Sequence, residues 1–201
     1  MIVYVLVPPA TLNDIKTVVL QEDNAVVLAG KSTIPDDIFD CTVQKKAPTW
    51  HPPAIRWHND DGPNKNKYRD PDFARILHVG WGLNPTTAER LRPVINDVAE
   101  LLPLPFNGET WYFMNVFNQI NDALDRTHST YKIYRSGEVG YLLKPSFFAD
   151  KVPHAKLFTM REAAPSIYYA EHYPDDNPNT FKNVVEKNKL FGLRLVKIWE
   201  N

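Results

Sequence analysis

The sequence predicts an α+β protein: a mostly antiparallel mixed sheet with two or three helices and a loop-rich N-terminal third. Three observations predict it. Short β-branched and aromatic runs bounded by turn formers recur along the chain. Only two segments place apolar residues at helical spacing, and they do not alternate with the strands as a parallel βαβ fold requires. With 201 residues, 43% of them hydrophobic and 23% charged, the chain has ordinary globular composition and room for one substantial core. Residues 1–201 therefore read as a single domain, with 31–72 a proline-rich loop region packed on it.

The elements follow in order. Residues 2–7 are an apolar, β-branched first strand closed by Pro8-Pro9, and 18–20 and 25–28 read as a hairpin across the turn Glu22-Asp23-Asn24. From 31 to 72 the prolines Pro35, Pro48, Pro52, Pro53, Pro63 and Pro71 leave little room for regular structure, although Trp50, Ile55 and Trp57 need cover. A strand over 75–79 leads through Gly80-Trp81-Gly82 into a helix. There Thr86 and Glu89 have the spacing of a capping box, and Ala88, Leu91, Ile95 and Val98 share one face. Pro93 must kink or split that helix. Residues 110–117 are an aromatic strand, and 131–134 with 139–143 form a hairpin whose turn uses Gly137 at positive φ. Thr180 caps a second helix carrying Phe181, Val184 and Val185, Gly192 reads as its C′ residue, and 193–199 form a last strand.

A formal charge of −1 gives no global reason to expect nucleic acid or an anionic membrane as partner. The single cysteine, Cys41, forms no intrachain disulfide and reads as a small hydrophobe in a reducing compartment. The first apolar run lacks the basic flank and length of an export signal, and no stretch approaches the roughly 20 apolar residues of a membrane span. The expected location is the cytoplasm.

Candidate chemistry reduces to three places. Gly80-Trp81-Gly82 lies between a strand and a helix, where a dinucleotide fold puts its phosphate loop. However, Trp81 is bulky, Pro85 occupies the third glycine position and no βαβ repeat follows, so the glycines read as architectural. His51, His58, Asp60 and Asp61 could offer metal ligands, but their spacing in a proline-broken loop fits no regular face. Together with Trp50 and Trp57 they suit a contact surface better, since binding energy concentrates in aromatic anchors. Asp122, Asp125, His128 and Ser129 are too close in sequence to converge as a triad and are expected to fix a turn.

The run Glu100-Leu101-Leu102-Pro103-Leu104, a strand ending Asn115-Val116, Asp122-Ala123-Leu124-Asp125 with Ser129, strands holding Phe158 and Ile167-Tyr168, and Gly192-Leu193 before a final strand resemble a bacterial polymorphic-toxin immunity family first catalogued as a domain of unknown function. The resemblance covers roughly 73–199. Pro93 and the acidic insertion Pro174-Asp175-Asp176-Asn177-Pro178 depart from its pattern. It implies a non-enzymatic antidote that binds a toxin domain encoded by an adjacent gene, with no cofactor, metal, nucleic acid or membrane. The matched positions Leu102, Pro103, Asp122, Leu124, Asp125 and Gly192 would be structural. Partner contacts are expected at Trp50, Trp57, His58, Asp60, Asp61, Asp175 and Asp176, the aspartates as carboxylate mimics of a phosphate backbone. The competing expectation is a metal- or nucleotide-dependent enzyme using the 51–61 or 80–89 loops; a third is an adaptor within a secretion assembly.

Overall fold

The computed structural model describes residues 1–9, 18–20, 44–52, 55–57, 70–76, 80–106, 108–172 and 177–201; of residues 18–20, 56 and 57 it describes the backbone alone. It is an α+β protein whose strands pair almost entirely antiparallel. Among the described residues the strands are β1 Ile2–Val7, β2 Val18–Leu20, β3 Ile55–Trp57, β4 Phe73–Ile76, β5 Gly80–Leu83, β6 Ala99–Phe106, β7 Glu109–Val116, β8 Thr130–Ile133, β9 Val139–Lys144, β10 Lys156–Thr159, β11 Ile167–Glu171 and β12 Arg194–Glu200. The helices are α1 Pro85–Ile95 and α2 Phe181–Lys187. The strands divide into three sheets, not one: β10-β11-β1-β12, β3-β2-β4-β5-β7-β6, and the isolated pair β8-β9. Between these strands the parallel pairing is β2 with β4, and an isolated parallel bridge joins Gln119 to Thr159.

Strand alternation explains the layering, because successive side chains leave opposite faces of a sheet. Leu6, Leu157, Ile167 and Tyr169 of the four-stranded sheet meet Phe73, Trp81, Leu83, Met114 and Val116 of the six-stranded sheet, with Ala88, Leu91 and Ile95 of α1 and Phe181 and Val185 of α2 completing the central core. Each fully buried large aliphatic there stabilises the fold by roughly 2 kcal/mol. The outer face of the six-stranded sheet carries Ile76, Leu102, Leu104, Trp111 and Phe113. That of the four-stranded sheet carries Val3, Phe158, Tyr168 and Ala170, packed with Leu124, Phe147 and Val152.

Several local expectations change. Gly80-Trp81-Gly82 belongs to a strand, not to a strand-to-helix turn: it pairs with β4 and β7 and buries Trp81 in the core. Gly80 is needed because a Cβ there would lie 2.3 Å from Phe113 Cε2, so the bare backbone seats that ring. The cap of α1 is Asn84, whose Oδ1 accepts from the Thr87 N–H at 2.8 Å, with Pro85 in the first turn; no capping box from Thr86 is used. Pro93 lies in the last turn and the helix runs to Ile95 without splitting, leaving Val98 buried in the following turn. Residues 99–106 form a strand despite Pro103 and Pro105. The strand is an edge, where a missing N–H costs no ladder bond.

Thr180 caps α2 as expected, accepting from the Asn183 N–H at 3.3 Å. Gly192 is not the C′ residue, because the helix closes at Asn188. Its φ is +106° and a Cβ would lie 2.0 Å from the Phe73 carbonyl oxygen. The turn it belongs to clamps β4: the Asp72 and Phe73 N–H groups donate to Phe191 O, and the Phe191 N–H donates to Asp72 Oδ2 at 2.8 Å. For 18–20 the sheet neighbours are β3 and β4; the 25–28 half of the expected hairpin, and Cys41, lie outside the described residues.

Candidate functional site

The feature that departs most from a closed fold is the hairpin β8–β9. Its turn has the expected form, with Gly137 at φ +85° and the Tyr134 N–H donating to Glu138 O at 3.0 Å. Its surface does not follow the rule of one apolar face. Ile133, Tyr134, Val139, Tyr141 and Leu143 are between 45% and 62% exposed, while Leu142 turns inward toward the cluster around Phe147 and Phe158. Phe148, beside the root, is exposed as well. A hairpin lying on a core hides such residues, so this one projects as an arm.

The root of the arm is built by the acidic segment that precedes it. The Asp125 carboxylate accepts from the backbone N–H groups of Thr127 and His128 at 3.0 and 3.2 Å, and its Oδ2 lies 2.6 Å from His128 Nδ1. The hydrogen bond from the His128 side chain, with backbone donors adding to it, holds the Asp125 carboxyl below its ordinary pKa. Ser129 Oγ donates to the Asp125 carbonyl at 2.6 Å and accepts from the Ser146 N–H at 2.9 Å, while the Asp125 N–H donates to Ser146 O at 2.9 Å. The start of β8 and the end of β9 are thus tied to one loop, and Leu124 bridges to Phe147 beneath. Because the Ser129 proton is given to a backbone carbonyl and not to His128, these three residues brace a turn and form no nucleophile relay. Asp122 lies on the surface, paired with Lys151 at 3.2 Å.

Between arm and body lies a pocket of about 330 Å³, at the small end of the range for ligand sites. Tyr141, Leu143 and Pro145 form its arm side, Val5 and Ile198 its sheet side, and Glu162 and Ala163 its third wall. Glu162 is held by Arg126, whose Nε donates to it at 3.0 Å. Nearby, burial pushes the Tyr131 phenol up, with the Glu162 charge adding to it.

Two other clusters could do chemistry. Glu171 is buried at 3% exposure and accepts from Tyr4 Oη at 2.9 Å and Lys182 Nζ at 2.8 Å. Burial disfavours the Lys182 charge, but the Glu171 hydrogen bond and charge outweigh it and leave the ammonium pKa raised. With its carboxylate occupied by two donors, the group staples α2 onto β1 and β11. His154 and His172 face each other at 4.7 Å, and the His172 backbone N–H donates to His154 Nδ1 at 3.1 Å, so that nitrogen is engaged in fixing the ring. Among the described residues no group of three or more His, Cys, Asp or Glu could hold a metal ion, and no helix is long and apolar enough to cross a membrane.

The expected contact residues are scattered. Trp50 is turned inward: half-buried, its ring lies on Phe113 at 6.1 Å and 7°, and its indole N–H donates to the Pro103 carbonyl at 2.8 Å. It acts as packing, because Glu100 also accepts from the Lys46 and Ala47 N–H groups and draws this segment over the β6 edge. His51 is exposed. Trp57 is described only by its backbone in β3, and His58, Asp60, Asp61, Asp175 and Asp176 lie outside the described residues. Leu102 and Leu124 are buried, and Pro103, Asp125 and Gly192 hold the framework as described. The arm was missed at the sequence level, yet β9 carried its signal: Val139, Tyr141 and Leu143 alternate with Gly140 and Leu142, so neither face is polar. No protein-family model matches the chain, and none of the curated proteins matches it.

Proposed function

We propose that this chain is a binding protein, an immunity-type antidote that neutralises a toxin domain encoded beside it by covering the toxin's active site in the cytoplasm. The observation that carries the reading is the braced apolar arm. Its five exposed side chains present roughly 500 Å², taking about 200 Å² for a large side chain, which is near the top of what a monomer leaves uncovered. Covering that area yields on the order of 12 kcal/mol gross, comparable with the cost of association itself. The arm therefore forms the centre of an interface of about 1,600 Å² in total, with its rim supplying the remainder. The resemblance of its segment pattern to the immunity family points to the same reading. Co-purification from the native host with this chain as bait, after a high-salt wash, tests it. A stoichiometric toxin fragment is expected; recovery of the chain alone with a metal or nucleotide overturns the proposal in favour of an enzyme.

A further inference from the structure

The arm is not only apolar. Lys132, Arg135 and Lys144 stand on it against the single acid Glu138, and among the described residues none of the three cations makes an ion pair. Two arms of this chain brought face to face would set like charges against each other, which disfavours a second copy as the occupant. The pocket is continuous with the arm: Tyr141 and Leu143 belong both to the exposed patch and to its wall. Interfaces place their strongest anchors in pockets, ringed by weaker polar contacts. This one is half-open, with the apolar side chains of Leu143, Ala163 and Ile198 beside the Glu162 carboxylate that Arg126 already holds, and the arm that rises from it carries the three unpaired cations.

Resting on the protein-binding reading above, we infer that the arm and the pocket at its root form one docking site for a protein partner that inserts an apolar side chain between Leu143 and Ala163 and meets Lys132, Arg135 and Lys144 with carboxylates. The walls come from three separate elements: β9, the short 3-10 turn Arg161–Ala163, and the four-stranded sheet. The socket's shape therefore depends on the Asp125 brace that fixes where the arm leaves the body. The charges set the approach and the rate, and the socket sets the residence time.

The test uses the full chain and three variants: Lys132→Glu/Arg135→Glu/Lys144→Glu, Ala163→Trp to fill the socket, and Leu143→Gln as an exposed change that leaves the core alone. Circular dichroism verifies the fold of each. The probes are a fluorescein-labelled peptide Asp-Glu-Trp-Leu-Glu-Asp, its counterpart Lys-Arg-Trp-Leu-Arg-Lys, and a labelled oligothymidylate, read by anisotropy. The acidic peptide is expected to bind at least about tenfold tighter than the basic one. That preference reverses in the triple variant, and binding drops about tenfold in Ala163→Trp and Leu143→Gln. Equal binding of both peptides, or variants that bind like the wild type, overturns the inference. Tighter binding of the oligonucleotide overturns it in favour of a nucleic-acid surface, and a wild-type dimer that the variants dissociate overturns it in favour of self-association. A toxin fragment that co-purifies equally with all variants removes this docking site and leaves the antidote standing. Peptide discrimination without any co-purified toxin does the reverse.

Discussion

Two hairpins of this protein treat the same problem in opposite ways. In β6–β7 the apolar side chains Leu102, Leu104, Trp111 and Phe113 form one face, that face is roofed by Trp50, and the free edge carries Pro103 and Pro105. In β8–β9 the apolar side chains occupy both faces, the edges are unguarded by proline, and nothing among the described residues roofs the tip. Covering an apolar strand is cheap for this chain, since one short segment after residue 43 does it for β6. The uncovered arm is the surface on which the proposed docking rests.

The comparison can be broken at four points. The largest effect is expected from Phe113→Ala, which removes the ring seated on Gly80 and beneath Trp50 and should cost about 3–5 kcal/mol in chemical denaturation; a loss under about 1 kcal/mol would show that the covered hairpin is not a true core. Trp50→Ala removes one stacked pair and one hydrogen bond, for an expected loss of about 1–3 kcal/mol in the same assay. The third point is the brace of the arm. The Asp125 carboxyl lies below its ordinary value when folded, so as pH falls below about 4 the unfolded state takes up the proton first. The contribution is full at neutral pH and drains away as pH drops through the folded value. Hydrogen-exchange protection in β8–β9 should then fall while that in β6–β7 persists, and parallel loss in both would place the brace elsewhere. The smallest effect is expected from Tyr141→Ser or Val139→Thr, within about 0.5 kcal/mol of wild type in thermal melts. A larger loss would mean that the arm is packed in solution.

What the sequence made legible was local. A β-branched run marked β1, an aromatic run marked β7, Gly137 marked the arm's turn, and the Thr180 hydroxyl marked the start of α2, each decided by residues close together in the chain. The misreadings share a cause. No strand was read over 99–106, because nothing local says that an edge strand can hold Pro103 and Pro105. Gly80-Trp81-Gly82 read as a turn because the ring that demands a bare backbone belongs to Phe113, in another strand. Trp50 read as a partner contact because the carbonyl that receives its indole N–H is 53 positions away. The arm was legible as a hairpin but not as a site, since exposure is decided by what the rest of the chain leaves uncovered. Asp125, placed correctly as a turn-fixing residue, was the part of the site closest to being found.

The place of β1 in its sheet sets a timetable for synthesis. It pairs with β11 on one side and β12 on the other, so this strand, once made, waits for neighbours that begin at residues 167 and 194. At about 5–20 residues per second that interval is on the order of 10–40 s. Through it Val3 and Leu6, both buried in the finished protein, must be shielded by transient contacts or by chaperones, and a chain arrested before residue 167 has no four-stranded sheet to complete. The strand ladder of the six-stranded sheet is complete once β7 is made, so it can form first, and the clamp of Phe191 on β4 and the cover of α2 are added later.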